Sequence, residues 1–398
     1  MLARVLLRIL GTGTSTTSLE VSEMPFHVVI AGGGVAGLET ALALRALAED
    51  LVSVEVIAPE TEFTYRALAV AEPFHSDQVQ RFPLRALVQG AGATLRRGSV
   101  SAIDPEQKAV MLADGEDVSY DAFVLALGAR AEPAVTGALT FRGPEDVAAL
   151  TALLEDAACG KLKRIAFVVP AGVSWPLPLY ELALMTGNYL TDHGTRGVDL
   201  VIVTSEEHPL GVFGPEASAV ITDLLNLRGV EVQRTSAAVE WRDGALAVAG
   251  GRTVEADAAV AMPRLVGPAL PGLPHDGGGF VPIDLEGRVT GLADVYAAGD
   301  ATTSRPKQGG LATQQADAVA AAIARDLGAD VERMPFRPVL RGLLLTGLVA
   351  RYLRADIPRG RSVVDTEPLW QPSTKIVGRY LSPYLADHLG LGTAQSER

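Results

Sequence analysis

Cysteine is almost absent from this chain. Of 398 residues, only Cys159 is one. No dithiol pair can form within the chain, and no thiolate iron–sulfur site can be built. Cys159 stands near a predicted helix end and is expected to be structural or incidental. Histidine is scarce too: six are scattered without metal-ligand spacing, so no metal is expected. Cations are few and mostly arginine. The net charge of −13 argues against nucleic acid as the main partner. No uninterrupted apolar run reaches the roughly 18 residues that a membrane helix needs. Residues 1–10 are apolar with two arginines but lack a full signal-peptide core and cleavage pattern. Residues 1–24 are therefore expected to be a disordered tail, and the location is expected to be cytoplasmic.

The chain is rich in hydrophobic residues, at 48%, and carries 41 glycines and 24 prolines that are scattered, not clustered. This is ample for two domains with real cores. The stretch 27–39 organises the rest. An apolar run, Val28-Val29-Ile30, reads as a buried parallel strand and ends in Gly32-x-Gly34-x-x-Gly37. An alanine-rich amphipathic run, 36–49, follows as a helix. Gly32 allows a tight turn, Gly34 lets a pyrophosphate approach the backbone, and Gly37 lets the helix pack on the sheet. Val35 and Ala36 open the helix, whose free N–H groups suit phosphates. The bland alternative is a tight glycine turn without ligand. A second strand over 54–58, at the right spacing, counts against that.

In such a fold an acid at the end of the second strand takes the adenosine ribose. That position holds Ala58, so Glu60 is the nearest substitute, and an exposed loop carboxylate is its plain alternative. Tyr65 and Arg66 then enter the cofactor region. Residues 94–100 look like the next strand, and 110–120 form a hairpin-like pair. The buried strand 121–126, with Ala126 and then Gly128, returns to the first sheet. A helix is expected over 144–158. The plan then repeats: strand 164–169, helix 179–190, strand 198–204, helix 215–228, a further hairpin region, and strand 258–261. The predicted class is therefore α/β, with two Rossmann-like dinucleotide-binding domains, one inserted in the other, plus a C-terminal α+β domain. The expected limits are 25–140 and 255–330 for the first, 141–254 for the second and 331–398 for the last.

The second glycine turn is degenerate. Residues 170–178 hold one glycine, the bulky Trp175, and two prolines that remove donors. NAD(P)H at this loop is uncertain, and a sealed turn shaping a pocket is the alternative. Glu206 could take a nicotinamide cofactor's ribose, and an ordinary acid on an exposed loop is its plain alternative. Later, Ala298-Gly299-Asp300 ends a short strand, and a helix follows over 309–326. Asp300 can accept from a ribityl hydroxyl, and the helix dipole favours an anionic reduced flavin. From 336 onward aromatics, prolines and cations mix with apolar residues. The plain reading is a strand pair and a terminal helix, and the sharper one is a surface for a membrane or partner chain.

Gly32-x-Gly34-x-x-Gly37, the strand with Gly128, and Ala298-Gly299-Asp300 together resemble the two-dinucleotide-binding-domain flavoproteins of the pyridine nucleotide-disulfide oxidoreductase superfamily. Within them the chain resembles the branch that contains sulfide:quinone oxidoreductases, flavocytochrome c sulfide dehydrogenases and type II NADH:quinone oxidoreductases. The resemblance implies FAD across the first domain, with Asp300 at the ribityl–phosphate region. Lys307 and residues 310–315, among them Gly310, Leu311, Ala312 and Gln314, would lie beside the isoalloxazine. Glu181 matches a glutamate that opens the second-domain helix and serves the nicotinamide or quinone side. The tail around Trp370 and Lys375 resembles a C-terminal region that faces quinone or membrane. The single Cys159 departs from the sulfide-oxidising members, and the turn at 172–178 departs from the NADH-oxidising ones.

The expected function is an FAD-dependent oxidoreductase passing electrons from a small-molecule donor to an acceptor such as a quinone. NAD(P)H:acceptor oxidoreduction and a non-catalytic flavin-containing electron-transfer protein are the alternatives. The candidate catalytic residues are Lys307, Glu181 and Tyr180. Lys307 would stabilise reduced flavin or an acceptor oxygen, with a solvated loop lysine as the plain alternative. Glu181 would relay a proton if burial raises its pKa, being otherwise a helix N-terminal acid favoured by the dipole. A homodimer and a peripheral contact at the inner membrane face remain options for the partner set.

Overall fold

The computed structural model describes residues 25–389, so the tail expected at 1–24 lies outside the described residues. Strand β1 (Phe26–Ala31) has its last four residues buried, as a strand covered on both faces must. It feeds helix α1 (Val35–Ala48), then β2 (Val52–Ala58). Next come β3 (Thr94–Arg97) and β4 (Ala122–Leu125). A three-stranded antiparallel ribbon, starting at Val100–Asp104, lies between β3 and β4. The sequence reading joined 94–100 into one strand. They are two strands in different sheets, parted at Gly98.

The chain then enters a second parallel sheet. Its elements are β5 (Leu139–Thr140), β6 (Arg164–Val169), α2 (Leu177–Asp192), β7 (Asp199–Thr204), α3 (Pro215–Leu227), β8 (Val230–Gln233) and β9 (Ala258–Ala261). The spatial order is β5-β9-β6-β7-β8. A second antiparallel ribbon precedes β9, so the two units follow one plan. The first unit was expected to resume at residue 255. Instead β9 pairs in parallel with β6, Ile165 opposite Ala258, and belongs to the inserted sheet. The crossing back falls at Arg264–Val266, which pairs with Arg130–Glu132.

The return strand β10 (Val295–Ala297) pairs in parallel with β4, completing the order β10-β4-β1-β2-β3. Helix α4 (Gly309–Asp326) packs its alanine-rich face along α1, with Ala316, Ala320 and Ile323 buried. The small side chains let the two helix axes come close. The last region is an antiparallel sheet of β11 (Val339–Leu344), β12 (Arg351–Asp356) and β13 (Arg361–Asp365), then helix α5 (Leu381–His388). The architecture is thus two Rossmann-like units, one inserted in the other, and a C-terminal α+β region. Among the described residues no helix is long and apolar enough to cross a membrane.

Candidate functional site

The turn after β1 is built from close backbone approaches. Gly32 sits at φ +116°, and a Cβ there would strike the carbonyl oxygen of Ala126. A Cβ on Gly37 would strike the carbonyl oxygen of Gly32. Gly34 differs, since nothing lies within 4 Å of where its Cβ would be. Gly34 is also the N-cap of α1 and no side chain caps that helix. The first N–H groups, at Val35 and Ala36, therefore have no side-chain acceptor, and the space beside Gly34 is open, an arrangement suited to an anion.

The end of β10 closes on the same turn. Gly299, at φ +76°, would bring a Cβ within 3.1 Å of Ala36 Cβ, and its N–H donates to Gln315 Oε1 at 2.7 Å. Asp300 follows, partly buried. Burial pushes its carboxyl above the usual range, and Lys307 opposes that. No protein donor reaches the Asp300 carboxylate among the described residues. A partly buried acceptor without a protein donor, beside an open glycine cradle, fits hydroxyl groups of a dinucleotide. Glu60 is exposed past the end of β2, with Ala58 buried before it. Arg66 is exposed and pairs with Glu145 at 3.3 Å. Gly128 stands at φ +69° with open space around its would-be Cβ.

Lys307 is only 7% exposed. Its ammonium donates to the Thr302 carbonyl and lies 4.1 Å from the centre of the Phe280 ring. Burial drives its pKa down to about 8, against the attraction of Asp300. The Lys307 backbone N–H donates to Ser174 Oγ at 3.2 Å, and Arg305 Nη1 donates to the Gly172 carbonyl at 3.2 Å. This segment therefore straps the first unit to the degenerate turn of the second. Gln308, which the sequence reading missed, caps α4: its Oε1 accepts from Leu311 N–H at 2.9 Å. Glutamine is a weak N-cap signal, so nothing in the sequence marked it. Gly310, Leu311 and Ala312 are buried in the first turn of α4. Gln314 is committed to the C-terminal sheet, donating to the Val339 carbonyl and accepting from its N–H, both at 3.0 Å.

Tyr180 and Glu181 begin α2 but serve different neighbours. Tyr180, fully buried, donates to Glu206 Oε2 at 2.7 Å, and Thr204 Oγ1 donates to the same oxygen at 3.0 Å. Burial pushes both Tyr180 and Glu206 upward. Glu206 lines a cavity of about 390 Å³ with Ser174, Pro176, Glu207 and His208. Trp175 packs on Phe213, ring centres 5.6 Å apart. Glu181 is also fully buried. Lys375 Nζ donates to both of its oxygens at 2.7 Å, and Leu345 N–H donates at 2.8 Å. Burial pushes the Glu181 carboxyl up while Lys375 pulls it down. Lys375 lines a second cavity, about 190 Å³, with Tyr65, Leu68, Leu343, Leu345 and Ile376. Tyr65 OH accepts from Ile376 N–H at 2.7 Å, and burial pushes its pKa up to about 12. The three candidate catalytic residues thus have separate settings: Lys307 beside Asp300, Tyr180 on the 390 Å³ cavity's acid, and Glu181 behind the 190 Å³ cavity.

The model of the pyridine nucleotide-disulphide oxidoreductase family matches residues 26–316. The chain belongs to this family. Membership places it among oxidoreductases whose fold is consistent with FAD. It is 29% identical over 197 residues to a sulfide-quinone reductase of Aquifex aeolicus, covering 48% of this chain and 45% of that relative. The chain thus matches less than half the length of that relative. It is 29% identical over 332 residues to the ferredoxin–NAD(+) reductase subunit of a Pseudomonas putida benzene 1,2-dioxygenase system, covering 75% of each. The structure of sulfide:quinone oxidoreductase from Aquifex aeolicus is similar with a TM-score of 0.80, over 92% of this chain and 96% of that one, at 21% identity. That likeness is one of fold. With one exposed cysteine, Cys159, this family member has no redox cysteine pair.

Proposed function

We propose that the protein is an FAD-dependent oxidoreductase that passes electrons from a donor through flavin to a quinone-type acceptor. The observation that carries this is the open cradle at Gly34, with uncapped α1 on one side and donorless Asp300 on the other. In this reading the N–H groups of Val35 and Ala36 hold the pyrophosphate, and Asp300 accepts from ribityl hydroxyls. Bound flavin supplies the two-electron chemistry. Lys307 keeps a positive charge beside Asp300 that favours an anionic neighbour.

The acceptor reading rests on the 190 Å³ cavity. Leu68, Leu343, Leu345 and Ile376 suit an apolar ring, and Lys375 is a cation able to donate to a carbonyl oxygen. Glu181 behind it holds that lysine in place and can keep a proton at the pair. A second reading, NAD(P)H as donor, is favoured by the cavity beside Glu206 at the carboxyl ends of β6 and β7.

The test is a visible spectrum of the purified protein, followed by anaerobic mixing with NADH, NADPH, sulfide and a reduced quinone in turn. A flavin spectrum that bleaches with one donor and recovers on adding oxidised quinone is expected. Bleaching by NADH or NADPH supports the second reading. A protein that stays colourless after saturation with FAD overturns both.

A further inference from the structure

Strands β11 and β12 are antiparallel, with Arg341 directly opposite Arg354. Their Cα atoms are therefore about 5 Å apart, and both side chains leave the same face of the sheet. Like charges placed opposite each other on a ladder are destabilising. A carboxylate commonly relieves such a pair. Here neither guanidinium makes an ion pair among the described residues.

The acids nearest on this face are already committed. Asp356, two residues along β12, accepts from Arg359 at 3.2 Å. Asp365, opposite Tyr352 on β13, accepts from the N–H groups of Thr366 and Glu367 at 2.7 and 3.0 Å. The residue opposite Arg354 on β13 is Val363, which is apolar and exposed. Arg341 is partly buried, and both burial and Arg354 work against its charge. The other face of the sheet is sealed: Leu340, Leu344 and Leu353 are buried, and a Cβ on Gly342 would press on Phe213 and Leu177. Beside the arginines stands Tyr352, opposite Leu343, with Trp370 edge-on to it at 5.1 Å between ring centres. The result is a concentrated positive charge with an aromatic wall and no internal counter-charge.

We propose that Arg341 and Arg354 form an anion-binding subsite that takes a small oxyanion, a carboxylate or phosphate group, bridged between the two guanidinia. Planar guanidinium forks suit both oxyanions, each of which offers several acceptor oxygens. The bridging anion replaces the missing carboxylate, so occupancy stabilises the folded chain. This subsite is independent of the flavin reading and survives its failure.

The test is thermal unfolding of the full chain in inorganic phosphate and, separately, in succinate, with ionic strength held constant by sodium chloride. The midpoint should rise saturably, by about 2 °C once the anion exceeds its dissociation constant severalfold. Arg354→Gln, at an exposed position, and Arg341→Gln should each lose the response. Arg354→Glu supplies the carboxylate internally. It should melt higher than the parent without added anion, and ignore phosphate and succinate. A response to succinate alone assigns the site to planar carboxylates, and one to phosphate alone assigns it to tetrahedral anions. A rise of equal size in parent and variants would be general exclusion of salt from the surface, and would overturn the proposal. So would a parent that responds to neither anion.

Discussion

Lys375 donates to both carboxylate oxygens of Glu181 at 2.7 Å, and the two side chains are 7% and 0% exposed. The pair ties α2 of the inserted unit to the segment leading into α5. Removing one partner leaves the other charge buried and alone. Lys375→Met should therefore destabilise by about 3–5 kcal/mol, and Glu181→Gln in the same background should recover part of that loss. Denaturant unfolding of the singles and the double checks it. Two single losses that simply add would rule out the coupling.

The three glycines of the first turn should respond unequally. A methyl on Gly37 meets backbone, which cannot move away, so Gly37→Ala should lose both stability and flavin. A methyl on Gly34 meets nothing in the protein. Gly34→Ala should fold with an unchanged apo melting midpoint yet bind FAD at least about tenfold more weakly, a cost of roughly 1.4 kcal/mol. Equilibrium titration with FAD measures this. Unaltered affinity in Gly34→Ala would place the pyrophosphate elsewhere.

These contrasts show what could be read in the chain and what could not. The glycine turn was legible because its demands are local: strand, spacing and helix all lie within about twenty residues. The inserted repeat was legible for the same reason, element by element. Glu39 was not. It sits in α1 as one more polar position, yet it is fully buried because the N–H groups of Tyr380 and Leu381 reach it from the far end of the chain. The Glu181–Lys375 pair and the bonding of Gln314 to Val339 likewise depend on partners remote in sequence. No periodicity announces such partners. The strand at β9 had a legible type but not a legible sheet, since pairing is decided by tertiary contact.

Lys307 should give a pH signature. Its native pKa, lowered to about 8, lies below the unfolded value, so the unfolded chain binds more protons between about 8 and 10.5. Stability contributed by this group therefore rises with pH through that window and is flat outside it. Lys307→Met should lack the rise. Under the proposed function, flavin reduction in the parent should show an inflection near pH 8 that the variant loses. Parent and variant profiles that coincide would leave Lys307 without a role at the flavin.

Asp317 titrates in the opposite sense. It faces Glu39 across the α1–α4 contact, and burial, reinforced by Glu39, pushes its pKa up to about 8, while Arg379 opposes. Burial pushes the Glu39 carboxyl up as well, while the N–H groups of Tyr380 and Leu381, at 3.0 and 2.6 Å, pull it down and fix the start of α5. Asp317, pushed up to about 8, then keeps its proton in the fold at neutral pH, beside Glu39. Once pH passes the ordinary carboxylate range, the unfolded chain releases that proton while the native chain retains it. This group's contribution is therefore fully present at acid pH and is lost progressively between about 4 and 8. Asp317→Asn keeps a donor and cannot ionise. Its stability relative to the parent should climb across that window by more than about 1.4 kcal/mol, the equivalent of one pKa unit. Urea unfolding at pH 5, 7 and 9 reads the difference, and protection of the α5 amides from exchange should follow it. If the gap between variant and parent stayed constant with pH, the two carboxyls would not share a proton.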